Sequence, residues 1–249
     1  MSERSSYAPG TFCWVDLSTG DLEGAIAFYE ALFGWDAAVE ATPSGGSFAA
    51  FLLDGRRVAG GFEGKRTEWL SYVTVEDAEA SATRADDLGA DVVAGPRDVD
   101  GLGRVAYLAD PLGARFGVWQ PGTVHGAEVV NEPGTLTWND LVCASADTAK
   151  EFYGAMFGWT FRDAPGDPTV YSVIVNGERT NGGILIVHDT PAHWRPYFVV
   201  GGADAAAARI GELGGGVLLG PMDVPAGRIC AAHDPQGAIF SVGEFGGYD

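Results

Sequence analysis

Two carboxylates, Asp16 and Asp140, sit in the same short setting: each follows a tryptophan by two positions, Trp14 and Trp138, and precedes a leucine. A strand alternates its side chains with a period of two. Phe12, Trp14 and Asp16 therefore share a face, as do Trp138 and Asp140. The same alternation groups Leu70, Tyr72 and Thr74, then Arg115, Gly117 and Trp119, and later Arg195, Tyr197 and Val199, then Ile239, Ser241 and Gly243. A carboxylate so placed can act as a general base, a guanidinium can hold a carboxylate or phenolate, and indole or phenol rings can stack on a flat organic molecule. Asp16 and Asp140 are the catalytic candidates. Trp14, Asp16, Tyr72, Arg115, Trp119, Trp138, Asp140, Arg195, Tyr197 and Ser241 are the binding candidates.

These residues come in pairs because the chain is written twice. "PGTFCWVDL" at 9–17 returns as "PGTLTWNDL" at 133–141, and "FYEALFGW" at 28–35 returns as "FYGAMFGW" at 152–159. "DGRRVAGG" answers "NGERTNGG", "WLSYVTV" answers "WRPYFVV", and "DPLGARFGV" answers "DPQGAIFSV". A period of about 124 residues is too long for a solenoid and reads as two fused domains. The expected domains are 1–125 and 126–249, with a loop-rich linker near 120–132. Within the first copy, 11–17 alternates as a strand. Asp21 caps a helix whose apolar positions Leu22, Ala25, Ile26, Tyr29 and Leu32 recur at helical spacing, and Gly34 closes it. In the second copy Ser145 and Gly158 take those places. Strands follow near 35–39, 48–53 and 57–62. The pattern then restarts with a strand at 69–75, a helix over 77–88 and strands near 91–94, 104–108 and 115–119. The order is βαβββ, four times, an α+β class.

The chain has 249 residues, 46% of them hydrophobic, and a formal net charge of −19. That acidity repels phosphate backbones and anionic membranes, so neither is an expected partner. No apolar run is long enough to span a bilayer, and "MSERSSYAPG" lacks the pattern of a signal peptide; a cytoplasmic protein is expected. Cys13, Cys143 and Cys230 share no metal-like spacing and read as buried small hydrophobes. His125, His188, His193 and His233 fall in linker or loop stretches. Asp110 and Asp234 begin "DPLG" and "DPQG", which favours a turn role. Asp98 with Arg104, and Asp223 with Arg228, are placed to bridge hairpins.

The element order, "DLxxAxxFYxxLFGW" at 21–35 and "DPxGxxF" at 110–116 and 234–240 resemble the vicinal oxygen chelate superfamily of glyoxalase I, extradiol dioxygenases and bleomycin-resistance proteins. Among these the chain is similar to tandem-domain actinobacterial members. The resemblance implies that each pair of βαβββ units curls into an open, U-shaped sheet. Its concave side holds a ligand, often with a divalent metal on two histidines and a carboxylate. It also implies where those ligands would sit: Trp14, Leu70 and Gly117 in the first half, and Trp138, Arg195 and Ser241 in the second. None of these side chains forms such a site, so no metal and no cofactor are expected.

With Trp14 at a former ligand position, the shared faces become concave ones, and the cups have aromatic walls with a few charges. Three readings follow. The first is reversible binding of a small, largely aromatic metabolite or antibiotic-like compound. The second is a metal-independent lyase, isomerase or cyclase with Asp16 or Asp140 as base and Arg115 or Arg195 as anion stabiliser. The third is a structural or interaction protein whose cups are plugged, with Asp16 paired to Arg115 and Asp140 to Arg195. The "FYxxxFGW" helix ends are expected to pack on the outside of the sheet. One chain is expected to be a monomeric pseudo-dimer, or at most a weak homodimer.

Overall fold

Four successive βαβββ units build the protein. The computed structural model describes residues 3–42, 45–163 and 170–245; the outermost residues of the expected domains lie outside that set. The first unit runs β1 (Phe12–Thr19), α1 (Leu22–Phe33), β2 (Asp36–Ala41), β3 (Ser47–Leu53) and β4 (Arg56–Glu63). The second runs β5 (Glu68–Thr74), α2 (Ala78–Asp87), β6 (Asp91–Val99), β7 (Gly103–Ala109) and β8 (Arg115–Pro121). The third runs β9 (Leu136–Cys143), α3 (Ala146–Phe157), β10 (Thr160–Asp163), β11 (Tyr171–Asn176) and β12 (Arg179–Ile186). The fourth runs β13 (His193–Val199), α4 (Ala203–Glu212), β14 (Gly216–Val224), β15 (Gly227–His233) and β16 (Ile239–Phe245). The capping residues act as their types dictate. Asp21 Oδ1 accepts from Gly24 N at 2.9 Å, Ser145 Oγ accepts from Thr148 N at 3.3 Å, and Gly34 and Gly158 end their helices at φ +74° and +72°.

Each half forms one eight-stranded sheet, ordered β2-β3-β4-β1-β5-β8-β7-β6 in the first and β10-β11-β12-β9-β13-β16-β15-β14 in the second. The unit-starting strands lie at the centre of each sheet, where β1 runs antiparallel to β5 and β9 to β13. Residues alternate across the central strands except at bulges; the bulge between Phe12 and Trp14 turns Phe12 into the core, against the expectation that it shares a face with Trp14 and Asp16. Val15, Leu17, Val73, Phe116 and Val118 point into buried apolar clusters, while their neighbours Trp14, Asp16, Tyr72, Arg115 and Trp119 line the opposite, concave side.

The buried clusters are shared between the halves. Phe28, Tyr29 and Trp35 from α1 and its exit pack with Phe198 and Phe240 of the second sheet; Phe152, Tyr153 and Trp159 pack with Phe12 and Phe116 of the first. The repeated "FY" helices thus cover the convex face of the other half, in addition to the sheet they grow from. The tyrosines fix this exchange. Tyr29 Oη donates to Asp234 Oδ2 at 3.0 Å and receives Trp69 Nε1 at 2.9 Å. Reciprocally, Tyr153 Oη donates to Asp110 Oδ2 at 2.9 Å and receives Trp194 Nε1 at 2.8 Å. Asp110 and Asp234 also make their expected turns: Asp110 Oδ1 accepts from the Leu112 and Ala114 amides, and Asp234 Oδ1 from those of Gln236 and Ala238. Trp35 Nε1 and Trp159 Nε1 donate across the same boundary to the carbonyls of Gly134 and Gly10, at 2.7 and 2.8 Å.

All three cysteines are buried and free. The histidine expectation needs correcting, since His193 opens β13 and His233 closes β15, both half-buried. Of the two expected hairpin pairs, Arg228 does bond Asp223, at 2.9 Å, and also holds Asp204. Asp98 and Arg104 face each other in register, but Arg104 turns to Glu79 on α2 at 3.2 Å. Asp98 instead accepts from the Gly101 amide in its own turn.

Candidate functional site

The concave side of the first sheet encloses a cavity of about 820 Å³, within the usual range for organic ligands. One row crosses it in register: Trp14, Tyr72, Gly117, Tyr107 and Ala94. Asp16 lies one pleat along, between Leu70 on β5 and Gly60 on β4. Glycine at 60 is a steric requirement, because a Cβ there would overlap the Asp16 carboxylate and the Phe48 ring. Gly117 is required likewise, since the Tyr72 ring fills the space its side chain would take. Trp119 lies at the rim and donates through Nε1 to the Val124 carbonyl at 2.9 Å.

Asp16 is only 7% exposed. It accepts one strong bond, from Trp14 Nε1 at 2.7 Å. Burial raises its pKa to about 6, against the lowering effects of Tyr72 and Trp14. The Tyr72 hydroxyl is buried between Asp16 and Tyr107, near enough to Asp16 to lower its pKa but short of a well-formed hydrogen bond to either, and burial holds its own pKa well above that of a free phenol. Burial raises Tyr107 as well, and Arg97 stands 6.0 Å from the centre of its ring. The cup thus presents a carboxyl group near its own midpoint, with an unengaged phenol next to it, between aromatic walls.

The expected Asp16–Arg115 pair does not form. Arg115 pairs with Glu68 in a close ion pair. The register explains this: Leu70 stands between Asp16 and the strand that carries Arg115, while Glu68 projects from β5 on the face that Arg115 can reach.

The second cup carries the same framework with different chemistry. Asp140 is saturated. Its Oδ1 accepts from Trp138 Nε1 at 3.0 Å and Tyr171 Oη at 2.6 Å, and its Oδ2 accepts from Tyr197 Oη at 2.6 Å. Arg195 donates to Tyr197 Oη at 2.7 Å and lies 3.7 Å from Asp140, so the expected pair is present here with a phenol between its members. Ser241 is buried next to Tyr197 in the register. Gly183 makes the room for Asp140 and Tyr171 that Gly60 makes for Asp16 and Phe48. The two aspartates differ because Phe48 stands where the second half has Tyr171, Leu70 stands where it has Arg195, and the Tyr72 hydroxyl does not bond Asp16 as Tyr197 bonds Asp140.

Several residues of the cups escaped sequence reasoning: Phe48, Tyr107, Arg97 and Glu68 in the first, Tyr171 in the second. Alternation along the three strands per half that carry the family's ligand positions does not reach them. Extended to β3 and β7 it reaches Phe48 and Tyr107. Glu68 fell one residue before the expected strand.

The residues at the family's metal positions do not fit a metal. Trp14, Leu70 and Gly117 offer an indole, an alkyl group and no side chain, and Tyr72 occupies the space beside Gly117. Among the described residues, no group of three or more His, Cys, Asp or Glu side chains is near enough to share an ion. No described helix is long and apolar enough to cross a membrane.

The glyoxalase-like domain family matches residues 14–119. CFP32 of Mycobacterium tuberculosis, named as a glyoxylase, is 39% identical over 256 residues, covering 97% of each chain. DauV of a Streptomyces species, named as an anthracycline biosynthesis protein, is 37% identical over 262 residues, covering 96% of this chain and 94% of its own. Among solved structures, the Mn(II)-bound glyoxalase of Novosphingobium aromaticivorans superposes with a TM-score of 0.66 at 17% identity, over 95% of this chain and 82% of that one. The 2,3-dioxygenase LapB of a Pseudomonas species gives 0.66 at 16% identity, over 97% and 94%. With its duplicated βαβββ units, its two eight-stranded sheets and relatives matched over nearly their whole length, this chain belongs to the glyoxalase-like family of the vicinal oxygen chelate superfamily.

Proposed function

We propose that the N-terminal cup reversibly binds a flat, largely aromatic small molecule bearing a hydroxyl group, without a metal. One observation carries this reading: Asp16, with a single donor and a pKa near 6, lies beside the unengaged Tyr72 hydroxyl inside a cavity of about 820 Å³. A ligand hydroxyl can donate to Asp16 and accept from Tyr72, while Trp14, Phe48 and Tyr107 offer ring faces. The name of the DauV relative, tied to anthracycline biosynthesis, suits a polycyclic aromatic ligand. The protein acts in the cytoplasm as a monomeric pseudo-dimer.

The raised pKa favours one further reading. At pH 6–7 Asp16 exists in both protonation states, as a general acid–base group should. A metal-independent isomerase, lyase or cyclase would use Asp16 to take a proton from one substrate atom and return it to another. Asp140, saturated by four neighbours, is a poor candidate for this, and Arg115 is already engaged by Glu68.

Mass spectrometry of what copurifies with the native protein, followed by titration of ligand-free parent and Asp16→Asn, tests the proposal. A hydroxylated aromatic that binds the parent at least tenfold more tightly, unchanged on recovery, supports binding. Conversion that is lost in Asp16→Asn supports the enzyme. A recovered aromatic whose binding ignores Asp16→Asn sinks both.

A further inference from the structure

The second cup differs from the first in the sign of its hydrogen-bonding capacity. In the first, the free polar groups include a carboxylate acceptor, Asp16, beside the Tyr72 hydroxyl. In the second, the carboxylate is fully occupied and the groups left over are donors. Ser241 Oγ is buried, on a residue 1% exposed, and has no partner; Arg195 Nε is likewise buried and unpartnered. Phe240 and Val242, the chain neighbours of Ser241, point into the core, so Ser241 projects to the concave side with Tyr197 and Trp138. The row continues from Ser241 through Ala231 to Leu219. Ala231 and Leu219 stand where the first cup has Tyr107 and Ala94, and Met222 stands where it has Arg97. Leu219 and Met222 are 55% and 41% exposed. The row thus runs from exposed apolar side chains at its edge, the wall, to buried, unpaired donors at least two strands away, the floor.

From this arrangement we infer that the C-terminal cup is a second, non-equivalent site for an uncharged apolar molecule carrying a carbonyl oxygen. The floor selects an acceptor, because Ser241 and Arg195 both have hydrogens to give. It selects a neutral acceptor, because Asp140, 3.7 Å from Arg195, already balances the guanidinium and would repel a second carboxylate. Ala231 and Met222, replacing the Tyr107 and Arg97 of the first cup, leave the wall suited to hydrocarbon. This site is independent of the N-terminal reading and stands or falls separately from it.

Acetylnaphthalene and ethylnaphthalene, alike in shape and differing in one carbonyl, are the probes. Each is titrated calorimetrically into ligand-free parent, Ser241→Ala and Leu219→Asp. The parent is expected to prefer acetylnaphthalene. Ser241→Ala, which removes one hydroxyl and little volume, should reduce that preference about 3–10-fold, the worth of one hydrogen bond, with ethylnaphthalene unaffected. Leu219→Asp, on an exposed edge strand, should weaken both probes. Equal affinity for the two probes in the parent would overturn the inference, as would a preference that survives Ser241→Ala intact. Binding of both probes indifferent to Leu219→Asp would assign them to another site and overturn it too.

Discussion

Asp16→Asn should make the ligand-free protein more stable, and only above a definite pH. Burial raises the Asp16 pKa from the usual 3.8 to about 6. A raised folded-state pKa means the folded form binds its proton more tightly than the unfolded chain does. Stability from this group is therefore full below about pH 3.8, falls as pH rises through the window from 3.8 to about 6, and stays lost above it. The gap corresponds to about 3 kcal/mol once both states are ionised, and roughly half of that is already lost at pH 5. Asparagine has no proton to lose. Its Oδ1 can keep the 2.7 Å bond from Trp14 Nε1, and its amide can donate to the otherwise unpartnered Tyr72 hydroxyl. The variant should equal the parent near pH 3.5 and exceed it above pH 7 by up to about 3 kcal/mol, roughly 6–12 °C in Tm for a chain of this size. Asp110 and Asp234 are also raised by burial, but they titrate alike in both proteins and cancel in the difference. Thermal melts of the two proteins from pH 3.5 to 8.5 measure it. A variant less stable than the parent at pH 8, or a difference that does not change with pH, would refute the electrostatic reasoning. A group that destabilises its fold at neutral pH yet occupies a cavity is what a site under selection for binding or proton transfer looks like.

Three other outcomes are expected. Expressed apart, residues 1–125 and 126–249 should each be poorly soluble and should recover native near-ultraviolet circular dichroism when mixed, since each lacks the helix that covers its convex face; two well-folded monomeric halves would contradict this. A bound aromatic ligand of the N-terminal cup should change tryptophan emission, and Trp14→Phe should remove most of that change. Trp35→Phe, deep between the halves, should leave it in place. Elemental analysis should find no stoichiometric Zn, Ni, Fe or Mn, and dialysis against a chelator should leave ligand binding unaltered; about one metal per chain, lost together with binding, would point to a site the family positions do not provide.

The fold was legible because each of its signals is local and is written twice. Asp21 and Ser145 before a helical period, and Gly34 and Gly158 after it, set the helices within a residue or two, and strand alternation assigned faces correctly for Trp14, Tyr72, Arg115 and Ser241. What failed was pairing across strands. Asp16 and Arg115 share a face, but which carboxylate reaches the guanidinium depends on the strand between them, and Leu70 occupies that strand. The difference between the cups was hidden for a related reason. Phe48 and Tyr171 are equivalent only through the register of β3 and β11, and lie 123 residues apart, between a repeat offset by 124 upstream and one offset by 122 downstream. The role of the "FY" tyrosines was out of reach, since nothing local to Tyr29 indicates Asp234, 205 residues away.

That reciprocal Tyr–Asp clasp has an evolutionary consequence. Each half contributes a helix and receives one, so the convex surfaces are bound by mutual obligation and must drift together. The concave surfaces share no such tie. A change at Phe48 or Leu219 is invisible to the opposite half, whereas a change at Tyr29 or Asp110 is read at once by its counterpart. A duplicated and fused chain of this kind therefore has one shared spine and two cups free to differ. Chimeras that join the first half of one tandem relative to the second half of another should be viable wherever the clasp residues match, however different their cups have become.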